Sequence, residues 1–278
     1  MFLSLLEPHQ QNDKDTFIAP DGYRNKYNSS SWIPSDLAAL DGSAHQHLSD
    51  YYGMVKRIDE AFGRLLDTLK SLDIDENTIV LFTSDHGCHF KTRNDEYKRS
   101  CHESSIRVPM AIKGPGFNSG GQLQNLVSII DIPPTLLEAA GLPVPDIMQG
   151  HSFIPLLKDK ESEWGEEHFI QISESELGRA IRTRRWKYCV VNRSLNPLTN
   201  ASANEYTESY LYDLYSDPHE LTNLITFESH ALISEILRER LIKLMVKYGE
   251  STPVIASVNK ISSGQRRVNI DRELLDLN

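Results

Sequence analysis

Cysteine is scarce: three in 278 residues, Cys88, Cys101 and Cys189. So small and odd a set is no disulfide framework, and without a CxxC pair it is no zinc-finger ligand set either. Unpaired thiols are the expected state of all three. Long apolar runs are missing as well. No stretch approaches the ~20 residues a membrane helix needs, and the opening Met1-Phe2-Leu3-Ser4-Leu5-Leu6-Glu7 lacks the basic n-region of a secretory leader, which leaves the compartment open between periplasm, exterior and cytoplasm. Positive charge is in deficit, with 29 Lys and Arg against 39 Asp and Glu and a formal net charge of -10. A general nucleic-acid partner needs a basic face, so that class drops out; a local basic pocket for a small anion does not. No GxSxG elbow or HExxH pair is present, and the glycines between 114 and 121 lack the strand–helix setting of a phosphate cradle and read as a turn.

What is present patterns as an α/β part followed by a smaller sheet-plus-helix part. Short apolar runs at 2–6, 79–82, 108–112 and 126–130 predict buried strands. Residues 10–43 are polar and read as a long loop. Leu48, Tyr52, Val55, Ile58, Phe62, Leu65 and Leu69 recur at steps of three and four, which predicts a helix over 44–72 with Ser43 as N-cap and with His45 and His47 exposed in its first turn. Asp131 opens a second helix, with Pro133 and Pro134 in its first turn and Gly141 at its end. Beyond about residue 158 the runs at 169–172, 179–183, 186–191 and 210–214 predict an antiparallel sheet, with Arg184-Arg185 as a turn, and 230–248 is amphipathic. The expected organisation is a core over 1–160, a sheet-plus-helix subdomain over 161–250 and a polar tail over 251–278.

The chemistry-bearing residues gather between 78 and 116. Asp85 and His86 end a predicted strand, where a carboxylate beside an imidazole can hold a divalent cation; a turn capped by Asp85 explains the same two residues equally well. Lys98 can neutralise an oxyanion as a point charge, although taken singly it reads as a solvated lysine. His9 also follows an apolar run and can donate a proton to a leaving group or serve structurally. Glu103 and Arg107 are spaced as a local ion pair.

Read together, these strings resemble the type I sulfatases of the alkaline phosphatase superfamily. Thr83-Ser84-Asp85-His86-Gly87, then Lys98, Glu103, Ile106-Arg107 and Pro109, then Gly114-Pro115-Gly116, follow the family's order. Pro8-His9, Asp59 with Phe62-Gly63-Arg64-Leu65-Leu66, Asp131 to Gly141, Arg182-Thr183 with Trp186-Lys187-Tyr188, and Leu211-Tyr212-Asp213-Leu214 with Asp217-Pro218 extend the likeness along nearly the whole chain. The resemblance implies an alkaline-phosphatase-like α/β fold with a mixed, mostly parallel sheet flanked by helices, then a smaller C-terminal antiparallel sheet with a helix. It implies hydrolysis of sulfate esters, with a sulfated small molecule or carbohydrate as partner. Asp85 and His86 would be metal ligands, for calcium in the usual case. Lys98 would contact the sulfate oxygens, His9 would assist the leaving group, and His102 would contact substrate. The family's nucleophile is a formylglycine made from Cys or Ser in a Cys/Ser-x-Pro/Ala-x-Arg motif. Here Cys88 is followed by His-Phe-Lys-Thr, Cys101 by His-Glu-Ser-Ser and Cys189 by Val-Val-Asn-Arg. The expectation is therefore a sulfatase that begins after its nucleophile, whether a fragment of a longer protein, one chain of a split enzyme or an inactive relative. A phosphodiesterase or phosphonate monoester hydrolase of the same superfamily, and a non-catalytic binder of sulfated glycans, are the competing readings.

Overall fold

The computed structural model describes residues 1–10, 12–27, 32–158 and 164–262. The chain packs as two units interleaved in sequence: residues 1–84, 89–97 and 109–120 form the first, and residues 85–88, 98–108 and those from Gly121 onward form the second. The tail beyond 262 and the boundary at 160 fall outside the described residues.

The first unit holds α1 (Tyr23–Lys26), α2 (Ser35–Ala39), α3 (Ala44–Ser71), β1 (Val80–Thr83) and β2 (Met110–Lys113). The three- and four-residue apolar spacing produces α3 as predicted, and the helix stops where Asp73 turns to φ 55°. Ser43 precedes it without capping it; its hydroxyl donates instead to the Phe90 carbonyl at 3.2 Å. β1 and β2 pair antiparallel, Val80 opposite Lys113 and Thr83 opposite Met110. Gly114 must follow β2 as glycine, because a Cβ there would lie 2.4 Å from the Thr78 carbonyl oxygen. With these helices and a sheet of its own, the unit fits the expected mixed α/β fold; its described strands are this antiparallel pair. Residues 2–6 form no strand, against expectation: Phe2 is 93% exposed and Leu6 63%. An apolar run becomes a buried strand only where neighbours take up its backbone N–H and C=O groups, and no described strand pairs with it.

Aromatic rings fill the other end of the unit. Phe17 has His47, Tyr51, Phe90 and Tyr97 around it at centroid distances of 5.4–5.6 Å. His47 is thus buried and not exposed as its helical position suggested, and burial pushes its pKa down. Lys91 lies over the Tyr97 ring and pairs with Asp15 at 2.8 Å. The same loop encloses His89, which is 0% exposed. Its N–H donates to the Tyr97 carbonyl at 2.7 Å, but neither ring nitrogen has a hydrogen-bond partner among the described residues. Burial pushes this imidazole down to about 4.

The second unit is built on a five-stranded sheet in the order β3 (Glu167–Ile172), β4 (Leu177–Thr183), β5 (Trp186–Asn192), β6 (Glu205–Asp213), β7 (Val254–Ala256). The first four run antiparallel, and β7 joins β6 in parallel. α4 (Glu103–Ile106), α5 (Ile132–Ala139) and α6 (Ala231–Lys247) complete it. Ile233, Leu237, Leu241 and Leu244 of α6 are spaced to share one face, and they pack on Leu177, Ile181, Trp186, Tyr188 and Val190. Each such side chain contributes ~2 kcal/mol of apolar burial. Residues 126–130 are not the predicted strand. Ser128 and Asp131 form a reciprocal capping box around the turn Ile129–Asp131, and the Asp131 carboxylate accepts the N–H groups of Ser128 and His151, both at 2.8 Å. Local hydrogen bonds of this kind compete with strand formation for the same backbone groups.

A buried ionic cluster ties α4 to this sheet. Lys187, 0% exposed, reaches Glu103 at 2.7 Å and Glu220 at 2.6 Å. Arg182 adds two bonds to Glu103, at 3.1 and 3.3 Å, and Glu220 accepts the Glu103 N–H at 2.7 Å. The partner of Glu103 is therefore the sheet, not Arg107: a fully buried lysine and a partly buried arginine outweigh one exposed neighbour on the same turn. Burial would raise the Glu103 pKa, but Lys187 and Arg182 hold it down to about 2. For Glu220 burial prevails and the pKa is raised.

Replacing Lys187 by Met removes the cation paired with buried Glu220 and one of the two that hold Glu103, and is expected to cost ~3–5 kcal/mol in urea unfolding; adding Glu220→Gln should return part of that loss. His89 generates a pH prediction. An unfolded histidine gains its proton as pH falls through its ordinary value of 6.5, whereas the folded ring gains one only near about 4. Stability is complete above 6.5 and declines by ~3 kcal/mol as pH falls to about 4. His89→Leu should flatten that decline in denaturation curves recorded between pH 7.5 and 4.5.

Candidate active site

Asp85 follows β1 after one residue and belongs, with His86 and Gly87, to the second unit, where the 98–108 segment also lies. The two segments are joined backbone to backbone. The Gly87 N–H donates to the Ser105 carbonyl at 2.7 Å. A Cβ on Gly87 would stand 2.1 Å from the Ser104 carbonyl oxygen, so only glycine permits this approach. Ser105 in turn shares a 2.8 Å hydroxyl–hydroxyl bond with Ser100. The Ser100 N–H donates to the Lys98 carbonyl at 3.0 Å. A short series of bonds thus fixes the Asp85–His86 corner and the backbone of Lys98 in one local framework.

At the corner, Asp85 Oδ1 accepts the His86 N–H at 2.9 Å, and Oδ2 lies 3.4 Å from His86 Nε2. His86 Nδ1 is 3.0 Å from the Gly87 carbonyl. A carbonyl only accepts, so Nδ1–H is the donor to Gly87 and Nε2 is the ring nitrogen that faces the carboxylate. A carboxylate and an imidazole nitrogen side by side are ligand types for a cation, and the Asp85 side chain is 83% exposed. The same carboxylate makes the turn bond the sequence also suggested. Among the described residues no group of three or more His, Cys, Asp or Glu is arranged to hold a metal; Asp85 and His86 amount to two ligands.

Lys98 is half-buried in this unit. His102 is 2% exposed. Its carbonyl receives the N–H groups of Ser105 and Ile106, its Nε2 bonds the Tyr212 hydroxyl at 3.1 Å, and its ring meets Tyr210 edge to face at 5.0 Å. It supports the turn from inside. His9, also half-buried, belongs to the first unit, its N–H donating to the Leu6 carbonyl at 2.9 Å. Four of the five residues singled out in the sequence therefore share one unit. Ser100 and Ser105, which join them, carried no signal of their own; the glycine after Asp85-His86 was the available clue. For formylglycine the residues present do not fit. Cys101 and Cys189 are fully buried, and Cys88 lacks the surrounding motif.

Comparison with known proteins gives the same outline. Residues 1–142 match the family described as sulfatase, and residues 95–247 match the family described as N-sulphoglucosamine sulphohydrolase, C-terminal. Arylsulfatase K of Canis lupus familiaris is 34% identical over 186 residues, covering 63% of this chain and 33% of that protein. The chain thus spans about a third of the length of the curated relative. A solved protein in complex with its substrate D-glucosamine-2-N,6-O-disulfate aligns at TM-score 0.61 and 26% identity, over 77% of this chain and 44% of that one. The phosphonate monoester hydrolase of Agrobacterium radiobacter aligns at TM-score 0.60 and 27% identity, over 81% and 44%. The two family matches overlap and together run from residue 1 to residue 247, and on that ground this chain belongs to the sulfatase family.

Proposed function

We propose that this chain carries the metal- and sulfate-binding side of a sulfuric ester hydrolase whose substrates are sulfated carbohydrates. The observation that carries the reading is the double family match over residues 1–142 and 95–247. The carbohydrate is suggested by the sulfated glucosamine bound to the aligned protein. Asp85 and His86 would hold a divalent cation, calcium by the family's habit, and when bound it would supply positive charge against the sulfate oxygens. Lys98 adds a second positive charge to the same oxygens. For His9, in the other unit, the role that the family resemblance implies is supplying a proton to a departing oxygen. His102 acts on the site by holding the turn after Lys98. No step is assigned to a formylglycine, because no cysteine or serine of this chain has the context that forms one.

Binding tests this reading directly. Calcium should raise the thermal midpoint of the chain with a millimolar dependence, as two protein ligands permit. Asp85→Asn should abolish the rise; an unchanged rise in that variant would remove Asp85 from the metal site. In calorimetry with calcium present, an N-sulfated glucosamine should bind, and Lys98→Ala should weaken it ~10-fold, the worth of one charge-assisted hydrogen bond. Equal binding of an aryl phosphodiester would favour the phosphonate-hydrolase reading, which rests on the 27% identical neighbour.

A further inference from the structure

Cys101 and Cys189 are both 0% exposed. They share one apolar cluster with Ile172, Ala180 and Val191. The juxtaposition is held from several directions. Cys189 sits in β5 with Ala180 opposite on β4 and Tyr210 opposite on β6. The Tyr210 ring meets that of His102, the residue after Cys101. Two residues before Cys101, the Arg99 carbonyl accepts the Ser175 hydroxyl at 2.8 Å. Residue 101 is therefore held on both sides against the sheet that carries residue 189. Neither thiol has a part in the site described above, and both are reduced in this structure.

We propose that Cys101 and Cys189 form a dithiol pair that closes to a disulfide when the chain meets a disulfide oxidant, fastening the 98–107 segment to β5. One thiolate attacks the oxidant's S–S bond, forming a mixed disulfide and releasing one small thiol. The second thiolate then attacks the protein sulfur of that mixed disulfide, closing the Cys101–Cys189 bond and releasing the second small thiol. Two electrons pass from the protein sulfurs to the oxidant, and both thiol protons leave. Burial pushes the Cys189 thiol well up, which keeps thiolate scarce and makes exchange slow in the folded chain. Closure therefore belongs to folding, or to long exposure. Once formed, the bond would constrain the segment that positions Lys98, with no demand on Cys88, which is only partly buried.

The full chain, brought to equilibrium in glutathione buffers of graded ratio from both reduced and oxidised starts, is acid-quenched, denatured, alkylated and weighed. The expected result is one alkyl group on the oxidised chain against three on the reduced one, and a linked peptide containing residues 101 and 189. Cys88→Ser should leave that result intact. Three titratable thiols at the most oxidising ratio, glutathione adducts on either residue without the internal link, or Cys88 joined to either one, would each overturn the proposal.

Discussion

The backbone contact between Gly87 and Ser105 is the constraint on which the rest of the candidate site rests. It joins the segment after β1 to the segment that begins at Lys98, and it does so at a separation no side chain can tolerate: a Cβ at residue 87 would meet the Ser104 carbonyl oxygen at 2.1 Å. The glycine next in the chain sets the direction of Asp85 and His86. The corner they form is closed by their own hydrogen bonds and by the Gly87 N–H, so a displacement of residue 87 would displace both candidate ligands together. The Ser105–Ser100 hydroxyl bond carries the same constraint toward Lys98.

Glu103 anchors the other side of that turn. Its carboxylate is buried between Lys187 and Arg182, and its own N–H is taken by Glu220. A buried ion set of this kind adds little net stability over a well-packed apolar one, because desolvation offsets most of the attraction. What it supplies is position. Oppositely charged groups with fixed hydrogen-bond directions admit one arrangement, whereas an apolar contact at the same place would tolerate sliding. Placing Glu103 immediately after His102 thus fixes the turn on the sheet of the second unit.

Periodicity made α3, α6 and the strands β3 to β6 legible, since their apolar faces are written at helical or alternating spacing and bury against partners within the described residues. The misreadings share a cause. Residues 2–6 and 126–130 have strand composition, but a strand is a property of two segments, and composition describes one. The first run finds no described partner, and in the second the Ser128–Asp131 box claims the backbone. His47 looked exposed because the helical face it occupies is set by Phe17 and Tyr97, which are distant in sequence. Glu103 looked paired with Arg107 because Arg182 and Lys187 are some eighty residues away. At the candidate site, Asp85-His86-Gly87 and Lys98 stand out by residue type and order, and the structure places them in one unit. Ser100 and Ser105 could not, because a serine that donates one hydrogen bond inside a turn has the same composition as any surface serine.

Charge poses a remaining constraint on the functional reading. The chain is formally -10, and a sulfated sugar is itself an anion, so the long-range field opposes their meeting. Exposed charges more than ~8 Å from the ligand are largely screened at physiological ionic strength, which confines the contest to the immediate surroundings of the sulfate. There the acidic excess works in the opposite sense. On the proposed reading Asp85, largely exposed and beside the His86 ring, would attract a divalent cation, and a bound cation would reverse the sign of the potential at the corner while Lys98 would reinforce it. An acidic corner is thereby a means of binding an anion, provided the cation arrives first. Sulfate affinity and calcium affinity should then be linked, each raising the other by the same factor, whereas a site that relied on Lys98 alone would bind sulfate without regard to calcium.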